Sequence, residues 1–141
     1  MQNLNYGVIG NCSTAALISE KGAIEWLCFP EFDSPSVFAA ILDRQKGGHF
    51  GFKVTSDYKV TQSYVPHTNI LSTHFESEEG AFDVVDFMPC YPTSDGKDFY
   101  RPAEIYRYIR WAKGRPRMKV DSRPAPNYCL LYTSPSPRDT R

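Results

Sequence analysis

Trp26, Phe29, Phe32 and Asp33 stand close together inside the run IEWLCFPEFDSPSVF at positions 24–38. The run also holds a cysteine, two prolines and two further carboxylates. Aromatic faces suit the apolar C–H faces of a sugar ring, and a carboxylate accepts hydrogens from its hydroxyls. These four side chains are therefore candidates for the rim of a sugar site. The same residues have a purely structural reading, with Trp26 and Phe32 packing a core and Asp33 capping the turn that follows. Both readings stay open on the sequence alone.

Other constellations carry less. Asp83 and Asp86 sit at odd separation on one expected strand, which points them to opposite faces. His49, His67 and His74 share no ligand spacing with Cys12, Cys28, Cys90 and Cys129, so no metal is expected. The cysteines lack a C-x-x-C pair and read as reduced thiols, although an even count also permits two disulfides. Between Arg101 and Arg123, eight basic residues face two acidic ones, interleaved with Tyr106, Tyr108 and Trp111. Such interleaving can serve nucleic acid. The alternation Ile105, Arg107, Ile109, Trp111 reads better as a strand of mixed faces, its arginines solvated or paired with the acidic stretch at 76–79. Gly7-Val8-Ile9-Gly10-Asn11 lacks the lysine and following helix of a phosphate loop and reads as a turn.

These side chains need a scaffold, and the patterning names it. Residues 14–19 and 23–28 are short apolar runs joined by Glu20-Lys21-Gly22, a β-hairpin. Period-2 alternation recurs at 49–54, 58–65, 69–76 and 81–87. It recurs again at 104–112 and 117–123, which flank Lys113-Gly114-Arg115-Pro116 as a second hairpin. One short helix is expected after Ser34 or Ser36, with Val37, Phe38, Ala40 and Ile41 as its apolar face and Gly47-Gly48 as its exit. The fold class is all-β, an antiparallel β-sandwich.

The composition bounds the function. A chain of 141 residues is one domain at most. Sixteen basic and sixteen acidic residues give a formal charge of zero, which favours neither a nucleic-acid nor a membrane-surface partner. Hydrophobic residues make up 41%, enough for a core and too much for intrinsic disorder. No apolar run approaches the roughly 18–20 residues of a membrane span, and no signal peptide is evident, so a cytoplasmic address is expected.

Five ordered motifs point to a family. They are Ile9-Gly10-Asn11, then Thr14-Ala15-Ala16-Leu17-Ile18, Trp26-Leu27-Cys28 with Pro30 and the run from Phe32 to Phe38, then His67-Thr68-Asn69-Ile70-Leu71, and Val85-Asp86-Phe87-Met88-Pro89. From about residue 6 to 128 the chain resembles the N-terminal β-sandwich of glycoside hydrolase family 15, the glucoamylase, glucodextranase and trehalase group. The resemblance implies that residues 1–128 are about the first half of that sandwich. It also implies a parent that hydrolyses α-glucosidic bonds in α-glucan or trehalose with inversion, without a cofactor. The paired glutamates of that chemistry would lie in a helical catalytic domain that follows and packs on the sandwich. No residue here corresponds to acid or base, so the fragment is expected to be inactive. The rival reading is a stand-alone carbohydrate-binding sandwich.

Residues 129–141 break the pattern. CLLYTSPSPRD at 129–139 resembles, residue for residue, a translated reading frame of the transposon-end adapter used in DNA library preparation. The chain thus reads as a metagenomic gene fragment running into adapter, with a disordered Pro/Ser linker as the alternative. Removing its two arginines and one aspartate takes the net charge from 0 to −1.

Overall fold

The computed structural model describes residues 4–128. The expected tail at 129–141 lies outside the described residues. Among the described residues lie twelve strands and one 3-10 turn. They are β1 Tyr6–Gly10, β2 Ala15–Ser19, β3 Ile24–Cys28, β4 Ser36–Phe38, β5 His49–Lys53, β6 Lys59–Tyr64, β7 Leu71–Ser77, β8 Gly80–Phe87, β9 Tyr91–Pro92, β10 Phe99–Tyr100, β11 Tyr106–Gly114 and β12 Lys119–Arg123, with the turn at Pro126–Tyr128. The first sheet runs β1-β2-β3-β5-β12, with β4 paired to β3, and the second runs β11-β8-β7-β6. All pairings are antiparallel, as the alternation requires.

The sheets close on two apolar clusters. Ile9, Ile18, Ile24, Leu27 and Phe38 of the first sheet meet Leu71 of the second. Tyr58, Phe75, Phe82 and Val84 form the other cluster, against Phe52, Val54 and Met118. Phe75 and Phe82 stack at 4.6 Å, and Phe52 meets Phe75 edge-on across the interlayer. Fully burying each such side chain is worth about 1.5–3 kcal/mol.

Three expectations need correcting. The helix after Ser36 is instead strand β4 followed by turns. The Ala39 and Ala40 amides donate to Gly47 and Gly48 carbonyls, and Ile41 donates to Glu25, so the backbone is spent outside any helical ladder. A Cβ at Gly47 would collide with the Ala39 backbone, which fixes glycine there as a close approach and not as a helix exit. The second error concerns β11 and β12, which do not form a hairpin. They join different sheets, β11 beside β8 and β12 beside β5. Arg115 donates its amide to Glu79 at 2.8 Å, tying the end of β11 to the β7–β8 turn, and Pro116 has no amide for a ladder. Lastly, Gly7 to Gly10 are strand, not turn, paired from Tyr6↔Ser19 to Gly10↔Ala15. Gly7 is needed because the Leu71 side chain occupies the place of a Cβ.

Candidate functional site

Trp26 is held by a bulge. Leu17 pairs with Trp26 and Ile18 with Ile24, so Glu25 is an extra residue on β3. Ile24 and Leu27 are buried while Glu25 and Trp26 between them are half-buried. Phe29 is partly buried against the first apolar cluster. Phe32 is 62% exposed and Asp33 is exposed. The four candidates therefore divide: Trp26 and Phe29 belong to the scaffold, and Phe32 and Asp33 stand at its tip. Phe32 does not pack a core, contrary to its structural reading. The turn is closed by Ser34, whose hydroxyl accepts the Glu31 amide at 3.1 Å.

The tip is firmly based. The Phe32 amide donates to the Ser13 carbonyl at 3.0 Å. Asn11 is buried, accepts the Ser13 and Thr14 amides at 2.9 and 3.0 Å, and donates to the Pro102 carbonyl at 3.3 Å. The Thr14 hydroxyl donates to the Cys28 carbonyl at 2.5 Å. Three segments distant in sequence thus meet beneath Phe32, and an exposed aromatic on a rigid base is suited to stacking on a ligand.

Several carboxylates elsewhere are committed to partners. Asp86 is fully buried, and Arg107 grips it with Nε at 2.6 Å and Nη2 at 3.0 Å. Arg107 also donates to the Phe50 and Gly22 carbonyls of the first sheet and lies 4.9 Å from the centroids of Phe50 and Phe52. Burial pushes the Asp86 carboxyl up, against the pull of Arg107. Asp83 faces the other way, as odd separation demands. It takes His74 Nδ1 at 2.6 Å and Arg110 at 2.9 Å. Asp83 then Glu76 raise His74 above the usual imidazole range.

On the outer face of the first sheet lies a groove of about 340 Å³, lined in part by Ala23, Glu25, Arg44, His49 and Asp121. Glu25 is bound by Arg44 at 2.6 Å and by the Tyr6 hydroxyl at 2.5 Å. Asp121 is bound by His49 at 2.8 Å and Arg123 at 2.9 Å, which hold it at a pKa of about 2. Arg107 and these outer-face pairs escaped sequence reasoning. The local alternation suggests a solvated Arg107 or one paired with residues 76–79, and only the β8–β11 register, Arg107↔Asp86, puts it inside. The acidic stretch at 76–79 is met instead from beyond residue 112, where Arg117 reaches Glu79 and Lys113 reaches Glu76 at 3.5 Å. Among the described residues no cluster of His, Cys, Asp and Glu has the makings of a metal site, and no helix is long and apolar enough to cross a membrane.

A family model described as trehalase-like, N-terminal matches residues 5–131. The chain belongs to the trehalase-like N-terminal domain family. Among its curated relatives, Trehalase 2 of Sulfolobus acidocaldarius is 45% identical over 128 residues, 91% of this chain and 19% of that protein. The trehalase of Thermoplasma volcanium is 36% identical over 126 residues, 87% of this chain and 20% of its own. Trehalase 1 of Sulfolobus acidocaldarius is 51% identical over 85 residues, 59% of this chain and 14% of its own. The chain thus spans a fifth or less of these relatives. No solved structure gives a significant match.

Proposed function

We propose that this trehalase-like domain is the non-catalytic N-terminal part of a longer glycoside hydrolase that cleaves α-glucosidic bonds with inversion. Trehalose is the first substrate to test, ahead of starch- and dextran-type glucans. The observation that carries this reading is the similarity to trehalases over about nine tenths of the chain but only a fifth of theirs. The acid and base would come from a helical domain beyond residue 128, one carboxyl protonating the leaving oxygen and the other activating water. The sandwich would serve as that domain's packing partner, and Phe32 with Asp33 would reach the mouth of its site while Trp26 and Phe29 support them. A cytoplasmic address fits Cys12, Cys28 and Cys90, which are free thiols.

The test is to recover the adjoining genomic sequence and assay the full-length protein on trehalose, maltose and isomaltose, following the anomer released by NMR. Turnover with inverted anomeric configuration is expected. A reading frame that stops after one completed sandwich would overturn the proposal in favour of a stand-alone carbohydrate-binding module.

A further inference from the structure

At the β1 edge the Tyr64 hydroxyl accepts the Val8 amide at 2.8 Å and donates to the Val8 carbonyl at 3.0 Å, so a single phenol closes that border. The groove beside Ala23 and Gly51 is left open. It forms where the β2–β3 turn, the turn after β4 and the paired strands β5 and β12 meet on the outer face of the first sheet. It lies at the Ile24 end of β3. The base of the Phe32 tip, with Ser13 and the Thr14–Cys28 bond, is at the other end, so the two are separate places.

Two departures from regular strand geometry coincide at the groove. The bulge in β3 lets Ile24 and Leu27 both face inward and turns the extra residue, Glu25, to the outer face. In the middle of β5, between the inward Phe50 and Phe52, stands Gly51, in register with Asp121. A glycine weakens a strand interior and often marks a place where another group approaches closely. A Cβ at Gly51 would come within 3.1 Å of the Ala23 Cβ and raise the floor between the walls. Breaks in local rules that converge on one spot point to function.

The walls are polar and their charges are nearly matched. On one side the Glu25 side chain, 12% exposed, is held by Arg44 and the Tyr6 hydroxyl. On the other the Asp121 side chain, 14% exposed, is held by His49, Arg123 and, at 3.6 Å, Lys53. Lys21 stands exposed at the rim. Counting His49 as neutral, three cations line the groove against two carboxylates. An anion would gain little there and would meet both carboxylates. A neutral ligand rich in hydroxyls fits better, because every hydroxyl both donates and accepts. Glu25 and Asp121 would take its hydrogens, and Arg44, Lys21 and Lys53 would supply donors. A groove of about 340 Å³ is at the small end of the roughly 300–1,000 Å³ range of ligand pockets, which suits a sugar unit.

We infer that this groove is a second, non-catalytic sugar site, which takes a neutral glucosyl unit with its ring over Ala23 and Gly51 and its hydroxyls between the Glu25 and Asp121 walls. The choice of glucose as the unit rests on the trehalase reading, and the groove itself does not.

The test uses the full-length protein with isotope-labelled histidine, the His49 signal being assigned by its loss in His49→Gln. Titrated with glucose at fixed pH, that signal should move to saturation. Glu25→Gln, on the opposite wall, should weaken the response about tenfold. If Glu25→Gln disturbs the fold, seen as loss of dispersion in the other histidine signals, Lys21→Ala at the rim makes the same comparison, with a loss of about threefold. No saturable movement overturns the inference, as does movement that both variants leave unchanged, which would be relayed from the catalytic domain. An equal response to glycerol overturns it as binding of any polyol, and saturation by inorganic phosphate but not by glucose makes the groove an anion site. Trehalose hydrolysis is followed in the same preparation. No turnover with His49 still responding sinks the functional reading and leaves this one standing, whereas turnover with a silent His49 does the reverse.

Discussion

Arg107 ties the two sheets together. It spends its donors on Asp86 and on two carbonyls of the opposite sheet, and its side chain is 4% exposed. Removing one partner strands the other charge in the core, a loss of about 3–5 kcal/mol. Against a typical stability of about 0.05–0.15 kcal/mol per residue, that is a large share. In the full-length protein Arg107→Met should therefore lower the urea midpoint sharply, and Arg107→Met with Asp86→Leu should recover much of the loss. A double variant no better than the single would show that the bonds to Phe50 and Gly22 dominate. The outer faces set the response to pH. Asp121 is held at about 2, below its ordinary value of about 3.9, so its stabilisation is present above pH 4 and lost as pH falls towards 2. His74 is raised, so its contribution is full below its ordinary value near 6.5 and lost as pH rises through the elevated one. In the full-length protein Asp121→Asn should flatten the acid limb of a stability profile and His74→Gln the alkaline limb, with carboxyl NMR titration of Asp121 and imidazole NMR titration of His74 in the unmodified protein reporting each group.

At the scale of elements, the strands whose faces alternate cleanly are legible in the sequence alone. Phe50 and Phe52, then Leu71, Thr73 and Phe75, face inward as the period-2 pattern requires. Residues 36–46 mislead because Val37, Phe38, Ala40 and Ile41 mimic a helical face while the amides of Ala39, Ala40 and Ile41 donate to the carbonyls of Gly47, Gly48 and Glu25, contacts that local pattern does not encode. The pair β11 and β12 misled for a related reason: a Gly-Arg-Pro turn signals a reversal, and only tertiary contacts decide whether the chain reverses within a sheet or between sheets. Gly47→Ala tests the close approach. Forcing the Ala39 strand end away should cost about 1–3 kcal/mol, read as a lowered thermal midpoint of the full-length protein. An unchanged midpoint would mean that the turn yields freely. Of the candidate site, the sequence pattern located the run 24–38 but not its division. Phe29 is drawn against the core, and Phe32 is lifted clear by its amide bond to Ser13.

For the molecule as a whole, the flank formed by β11 and β12 governs behaviour in isolation. The 141-residue chain leaves Ile109, Trp111 and Val120 wet, and small sandwiches already bury the least surface. Expressed alone it should be poorly soluble or melt without a sharp transition, followed by circular dichroism and sedimentation. A cooperative melt from a monomer counts against this. Assayed alone on trehalose, maltose and isomaltose it should show no turnover above blank, and any such turnover would place catalytic carboxyls within these residues.

The clasp of Tyr64 on Val8 also protects a border. Both strands it joins precede residue 65, so a chain leaving the ribosome has these partners in hand early. With both backbone groups of Val8 taken by one phenol, an incoming strand would have to displace Tyr64 before it could pair at β1, so unwanted strand addition between copies should begin elsewhere.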